Sequence, residues 1–206
     1  MKGYIVIDNF YFFFDLIRAQ ALEADFSKKH PKYPGIDSSL MFNNSEAEEK
    51  IKSIIKYDTQ RASYSGFFRL STADEYYKEG HGIHIDKYDI AAIIYLAQPG
   101  QNKQVGTSFL KHKASGLTNF YNIKRDPNLN PDWQRLDTQE IMKIIVNDME
   151  KNDATLWDLV EEVEFKYNRA VLMRGNLFHK LSNGFGQNVE NGRLTQNFFL
   201  NIPRTL

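Results

Sequence analysis

The sequence contains no cysteine. That removes disulfides and thiolate ligands, so any bound metal must be held by His, Asp, Glu or carbonyl oxygen. It is compatible with a reducing compartment, and a cytoplasmic location is expected. Neither sign of charge is in excess, since 26 Lys and Arg balance 26 Asp and Glu. A chain without bulk positive charge lacks the footprint of a nucleic-acid binder, so no nucleic-acid partner is expected. No uncharged apolar run reaches the roughly 18 residues of a membrane-spanning helix, and no membrane partner is expected. Asp8 and Asp15 interrupt the N-terminal apolar stretch, which therefore does not read as a signal-peptide core. Internal repeats, low-complexity tracts and long linkers are missing too, which predicts a single domain over residues 1–206.

What is present is ordinary globular material: 206 residues, 42% hydrophobic and 25% charged, enough for one real core. Helical spacing of apolar residues predicts a helix over 10–26, with Phe13, Ile17, Ala21 and Ala24 inward, Asp8 or Asn9 capping it and Phe12 to Phe14 as core. A second helix is predicted over 45–56, opened by a capping box at Ser45 and lined by Ile51, Ile54 and Ile55. Two more are predicted over 138–150, with Ile141, Ile144, Ile145 and Met149 inward, and over 153–163, with Leu156, Trp157 and Val160 inward. Strands are predicted at 4–7, 63–70, around His84, at 90–97 and 104–111, and from Phe165 onward past Arg193 to Ile202. The run at 90–97 is apolar throughout, as in a strand buried on both faces. Residues 28–38, with Pro31 and Pro34, and 124–134, with Pro127 and Pro131, read as loops, and 71–78 as a short helical turn. The expected fold is mainly β with flanking helices: a jelly-roll or cupin-like core, N-terminal helices packed on one sheet, and a helical insertion over 113–162.

The chemistry centres on Gly82-Ile83-His84-Ile85-Asp86. The branched isoleucines favour an extended chain, in which His84 and Asp86 share one face and Ile83 and Ile85 the other. One imidazole and one carboxylate are two-thirds of a 2-His-1-carboxylate metal site, which suits Fe(II) and leaves positions open. By itself the motif also fits a strand end with a His–Asp hydrogen bond. His179 lies far downstream in Leu177-Phe178-His179-Lys180, and Arg193-Leu194-Thr195 follows it. Alone, His179 would read as a packed core histidine, Arg193 as a surface arginine and Tyr95 as a core aromatic. His81 and His30 read as solvated or supporting residues, and His112 as solvated. Zn would also accept these three ligands, so ligand type leaves the metal open.

The order of H-x-D, a distant His and R-x-T resembles the Fe(II)/2-oxoglutarate-dependent dioxygenases, closest to their prolyl-hydroxylase-like branch. Ile93 to Leu96 looks like that branch's second core strand, Val105 to Phe109 like its small-residue turn, and Asn168 to Met173 like the strand before the distal His. The overall look is nearest to bacterial and phage-type members, which offer no substrate by analogy. The resemblance implies a double-stranded β-helix, with Fe(II) held by His84, Asp86 and His179. It implies 2-oxoglutarate anchored at its far carboxylate by Arg193 and Thr195 with Tyr95 beside it, and O2 as oxidant with ascorbate as a possible reductant. Asn197 shares the Arg193 face and is a further candidate. The implied reaction is hydroxylation of a small molecule or protein side chain, coupled to decarboxylation of 2-oxoglutarate to succinate and CO2. Two other classes stay open: a non-catalytic jelly-roll binding module, and a cupin-like metal enzyme that needs no 2-oxoglutarate.

Overall fold

A computed structural model describes residues 3–29, 35–74, 82–98, 101, 104–181 and 184–203. His30, Pro31, Pro34, His81 and the second half of the turn expected at 71–78 lie outside the described residues. In chain order the elements are β1 (Tyr4–Ile7), α1 (Phe14–Leu22), β2 (Phe26–Lys29), β3 (Ile36–Ser38), α2 (Ser45–Ile55), β4 (Gln60–Arg61) and β5 (Phe67–Ser71). Then come β6 (Ile90–Tyr95), β7 (Gln104–His112), α3 (Thr138–Glu150), β8 (Trp157–Phe165), β9 (Arg169–Arg174), β10 (His179–Leu181) and β11 (Arg193–Asn201). A large antiparallel sheet has the order β1-β9-β6-β11-β5-β3-β2, with β4 on the far end of β11. A smaller antiparallel sheet has the order β10-β7-β8. Among the described residues the protein is therefore mainly β with three α-helices.

The apolar run expected as a two-sided strand is β6, an interior strand of the large sheet and buried at every position. Alternation along a strand sends neighbours to opposite faces, and here it feeds two cores. Ala92 and Ile94, with Ala170, Leu172, Leu194, Phe198 and Leu200, pack beneath Phe14 and Ala21 of α1 and Ala47 and Ile51 of α2. Ala91, Ile93 and Tyr95, with Val171 and Met173, meet Phe109, Val163 and Phe165 of the smaller sheet. Each large side chain buried this way contributes about 1.5–3 kcal/mol. The inter-sheet layer is the one that receives the polar residues described below. Gly106 of β7 is glycine because a Cβ there would come 2.5 Å from the Tyr95 hydroxyl oxygen. The smaller sheet can therefore approach close enough for Tyr95 to lie between the layers.

Several sequence expectations are corrected. The segment 153–163 is not a helix: a short turn at Ala154–Leu156 leads into β8, which pairs with β7 along most of its length. Trp157 is buried as expected, but Leu159 and Val160 are more than half exposed on this outer strand. The spacing of Leu156, Trp157 and Val160 fits a helix, yet Trp157, Val163 and Phe165 also fit alternate positions of a strand, and pairing with β7 decides. The insertion is thus 113–156 with one helix, α3, whose bounds match expectation and whose capping box runs from Asp137 to Glu140. Ile144 of that helix is partly exposed rather than inward. Phe12 and Phe13 are 83% and 58% exposed, because α1 begins only at Phe14. Asp8 does not cap it but pairs with Arg169 and Lys166, which hold its pKa down at about 2. The cap of α2 is Asn44, one residue earlier than expected, accepting from Ala47 N at 3.1 Å. Part of the loop expected at 28–38 is the paired strands β2 and β3, held to β5 by the ladder and by the Asp37–Arg69 pair.

His112, expected in solvent, is fully buried inside the insertion. Its Nε2 lies 3.0 Å from Asp148 Oδ2 and its Nδ1 2.9 Å from Ser115 Oγ. Trp133 and Trp157 flank the ring. Burial lowers the His112 pKa against the pull of Asp148. Burial also opposes the Asp148 carboxylate, but donors from Lys151 and His112 outweigh it and keep that pKa below the ordinary range. A neutral imidazole donating to an anionic carboxylate satisfies both shifts. The unfolded chain then binds a proton at this histidine more readily than the folded one. Its stabilisation is complete above the ordinary value of 6.5 and is lost as pH falls from there through the lowered folded value. We expect thermal melts between pH 7.5 and 5.5 to show this acid-side loss, and His112→Gln to lack that part of it. At pH 7.5, His112→Ala should cost about 2 kcal/mol in urea unfolding.

Candidate metal centre

The segment holding His84 and Asp86 is not a regular strand. It is fixed by one isolated antiparallel bridge, in which His84 N donates to His179 O at 2.9 Å and His179 N donates to His84 O at 3.1 Å. Two residues that exchange both bonds lie directly opposite with their side chains on one face. Asp86 N adds a third bond, to Gly175 O at 2.6 Å. Alternation within 83–86 survives this short pairing: Ile83 and Ile85 join the core of the insertion, and His84 and Asp86 face away from it. His179 in turn opens β10, opposite Phe109 of β7.

The side chains converge accordingly. The two imidazole rings have centroids 4.3 Å apart. His84 Nε2 lies 3.7 Å from Asp86 Oδ1, and His179 Nε2 lies 3.6 Å from Asp86 Oδ2. One donor atom from each residue falls within 4.8 Å of the other two. Both rings are oriented by the carbonyl two residues earlier: His84 Nδ1 is 2.7 Å from Gly82 O and His179 Nδ1 is 2.9 Å from Leu177 O. A carbonyl only accepts, so each Nδ1 carries a proton, and a neutral ring then presents its Nε2 lone pair toward Asp86. Asp86 Oδ2 is buried with no hydrogen-bond partner among the described residues. Burial raises the Asp86 pKa, against the opposing pull of His179 and Arg69. Two Nε2 lone pairs facing a buried carboxylate oxygen form a donor set that fits a divalent cation.

The remaining candidates line the inter-sheet face of the large sheet. Arg193 is fully buried, and its Nη2 donates to Gly106 O at 2.8 Å. Burial brings its pKa down to about 10, which leaves it cationic at neutral pH. The rings of Tyr95 and Phe165 lie 5.9 Å from its guanidinium carbon. Tyr95 is opposite Thr195, with its hydroxyl 2.8 Å from Thr107 Oγ1. Burial pushes that phenol up to about 12, so it is neutral. Thr195 Oγ1 and Asn197 Oδ1 are buried without a partner among the described residues. Arg69 is buried in the same cross-sheet row as Thr195 and Tyr95. Its guanidinium forks onto Asp37 at 2.6 and 2.9 Å, and its charge acts on both Asp86 and Arg193. The carbonyls of Gly82 and Leu177 were missed by sequence reasoning. Their only sequence signal is the position two residues before each histidine. Arg174 stacks on Tyr121.

The same fold recurs among solved structures. HygX from Streptomyces hygroscopicus with nickel and 2-oxoglutarate bound superposes with a TM-score of 0.55 at 9% identity, over 98% of this chain and 84% of that one. HygX with nickel, 2-oxoglutarate and hygromycin B gives 0.54 at 10% identity with the same coverage. The non-heme alpha-ketoglutarate-dependent carbocyclase SnoK from nogalamycin biosynthesis gives 0.50 at 10% identity, over 97% and 79%. At such identity the likeness concerns the fold alone. No curated protein matches the sequence. A family described as a family of unknown function, DUF6445, matches residues 2–200. The chain belongs to that family, and it builds the family's sequence into the fold seen in HygX and SnoK.

Proposed function

We propose that the protein is an Fe(II)- and 2-oxoglutarate-dependent dioxygenase that hydroxylates a small molecule or a protein side chain. The observation that carries this reading is the meeting of His84, Asp86 and His179 at one point, with both imidazoles turned Nε2-first toward the carboxylate. The two facing sheets are read as the walls of a double-stranded β-helix, and residues 1–206 as one domain of the bacterial and phage type. His84, Asp86 and His179 would hold the metal. Bound iron would supply O2 activation coupled to decarboxylation of 2-oxoglutarate to succinate and CO2. A cytoplasmic setting, with ascorbate as a possible reductant, would keep it ferrous.

The chain's own groups would do the rest. Arg193 would bind the far carboxylate of 2-oxoglutarate through two parallel N–H bonds, which fixes orientation as well as charge. Its burial among Tyr95 and Phe165 excludes water from that pair. Thr195 would donate its hydroxyl to the same carboxylate, and Tyr95 would wall the pocket beside it. Arg69, held by its fork onto Asp37, would stay out of that contact.

The test is succinate release by the purified chain with Fe(II), 2-oxoglutarate and ascorbate in air; failure both to bind 2-oxoglutarate and to release succinate would sink the reading. We expect Ni(II) at about 100 times its Kd to stabilise the wild type by about 2.7 kcal/mol in thermal melts. His179→Ala should abolish that shift. Arg193→Lys, which keeps the charge but loses the fork, should retain the Ni(II) shift and weaken 2-oxoglutarate by roughly 10-fold or more in calorimetry. Unchanged 2-oxoglutarate affinity in Arg193→Lys and in Arg193→Ala would remove the anchor assignment.

A further inference from the structure

Ser71 ends β5 directly across from Arg193 of β11. Residues opposed in an antiparallel pair project from the same face. Arg193 reaches across to Gly106 O in the smaller sheet, so Ser71 is turned into the same inter-sheet space. It is 1% exposed, and its Oγ has no hydrogen-bond partner among the described residues. Thr195, two residues along the same face of β11, is fully buried and its Oγ1 is in the same condition. The hydroxyl of Tyr95, by contrast, has Thr107.

A buried hydroxyl left unpaired costs about 1–3 kcal/mol. Two hydroxyls without a partner among the described residues, set beside a buried guanidinium, are the pattern of a site shaped for an anion that supplies the missing acceptors. The surroundings also restrain Ser71. A Cβ on Gly35 would come 2.4 Å from its Oγ, and Gly35 has φ of +94°, so the neighbouring chain fits closely only as glycine. Just beyond Ser71, Ala73 N donates to Gly186 O at 2.9 Å, which ties the end of β5 to the turn that leads into Arg193.

We propose that Ser71 is a co-substrate-binding residue, completing with Arg193 and Thr195 a three-sided anchor for the far carboxylate of 2-oxoglutarate. A carboxylate has about four acceptor positions. A guanidinium fork fills two of them, and the two hydroxyls donate to the others. The anchor selects dicarboxylic over monocarboxylic 2-oxo acids, because only the former brings acceptors to Ser71 and Thr195. This inference rests on the dioxygenase reading.

The experiment is calorimetric titration of Ni(II)-loaded wild type, Ser71→Ala, Ser71→Cys and Thr195→Ala with 2-oxoglutarate and, separately, with 2-oxobutyrate, which lacks the far carboxylate. Melting temperatures of the metal-free proteins are measured alongside. The expected result is a loss of roughly 10- to 100-fold in 2-oxoglutarate affinity for Ser71→Ala, the range for a hydrogen bond to a charged group. Affinity for 2-oxobutyrate should not change, and the metal-free Ser71→Ala protein should melt no lower than wild type, since an unpaired buried hydroxyl has been removed. Ser71→Cys, a weak donor of similar size, should fall between. Equal 2-oxoglutarate affinity in wild type and Ser71→Ala overturns the proposal and leaves the dioxygenase reading standing. So does an equal loss for both acids, or a lower melting temperature in Ser71→Ala, either of which assigns Ser71 to the fold. Absence of 2-oxoglutarate binding by the wild type removes both readings.

Discussion

Two backbone hydrogen bonds between His84 and His179 hold the candidate centre together. Residues far apart in the chain reach one point because each donates to and accepts from the other, which sets their side chains on one face at a fixed separation. The Asp86 N to Gly175 O bond extends the same pairing and brings the carboxylate beneath both rings. Neither histidine then needs a contact with Asp86 to find its place. The backbone sets position, and the carbonyls of Gly82 and Leu177 set rotation and tautomer. The facing atoms of the three side chains are thereby directed toward one point, which is the arrangement a metal site requires.

The inter-sheet layer concentrates charge at a cost. Arg193 and Asp86 are both held where burial disfavours their ionised forms, and Arg69 acts on each from its pair with Asp37. Hydroxyls on Ser71 and Thr195 that have no partner among the described residues add to the penalty. The apolar layers around β6 offset it. Its even-numbered side chains pack under α1 and α2, and its odd-numbered ones share the inter-sheet space with Phe109, Val163 and Phe165. The same layer that loses stability to polar groups therefore excludes water from them, and low dielectric makes each later contact with an anion or cation worth more.

Much of this was legible in the sequence. The uninterrupted apolar run at 90–97 suited a strand with two buried faces, and β6 is such a strand in the interior of the large sheet. The alternation of His84 and Asp86 with Ile83 and Ile85 put imidazole and carboxylate on one side before any partner was known. Helix α3 was legible to its ends from its apolar spacing, and the structure adds a capping box from Asp137 to Glu140 at its start. The segment at 157–165 misled, since Leu156, Trp157 and Val160 satisfy helical spacing while Trp157, Val163 and Phe165 satisfy alternation, and only the free edge of β7 breaks the tie. The short strands β2 and β3 were illegible for a similar reason: polar and few in residues, they exist because β5 offers an edge and Arg69 offers Asp37 a partner.

By itself the sequence determined which atoms were available: no thiolate, few histidines, an H-x-D pair on alternating positions, and an arginine two residues before a threonine. Local geometry fixes such relations because the repeat of a strand is set by the backbone and needs no partner. Tertiary structure alone decided that His179 faces His84, that Arg193 is buried rather than solvated, and that Ser71 stands opposite it. It also buried His112, which the sequence had left to solvent. These are relations between distant segments, fixed by strand register and sheet packing, and no local pattern of residues encodes the register of a strand it has yet to meet.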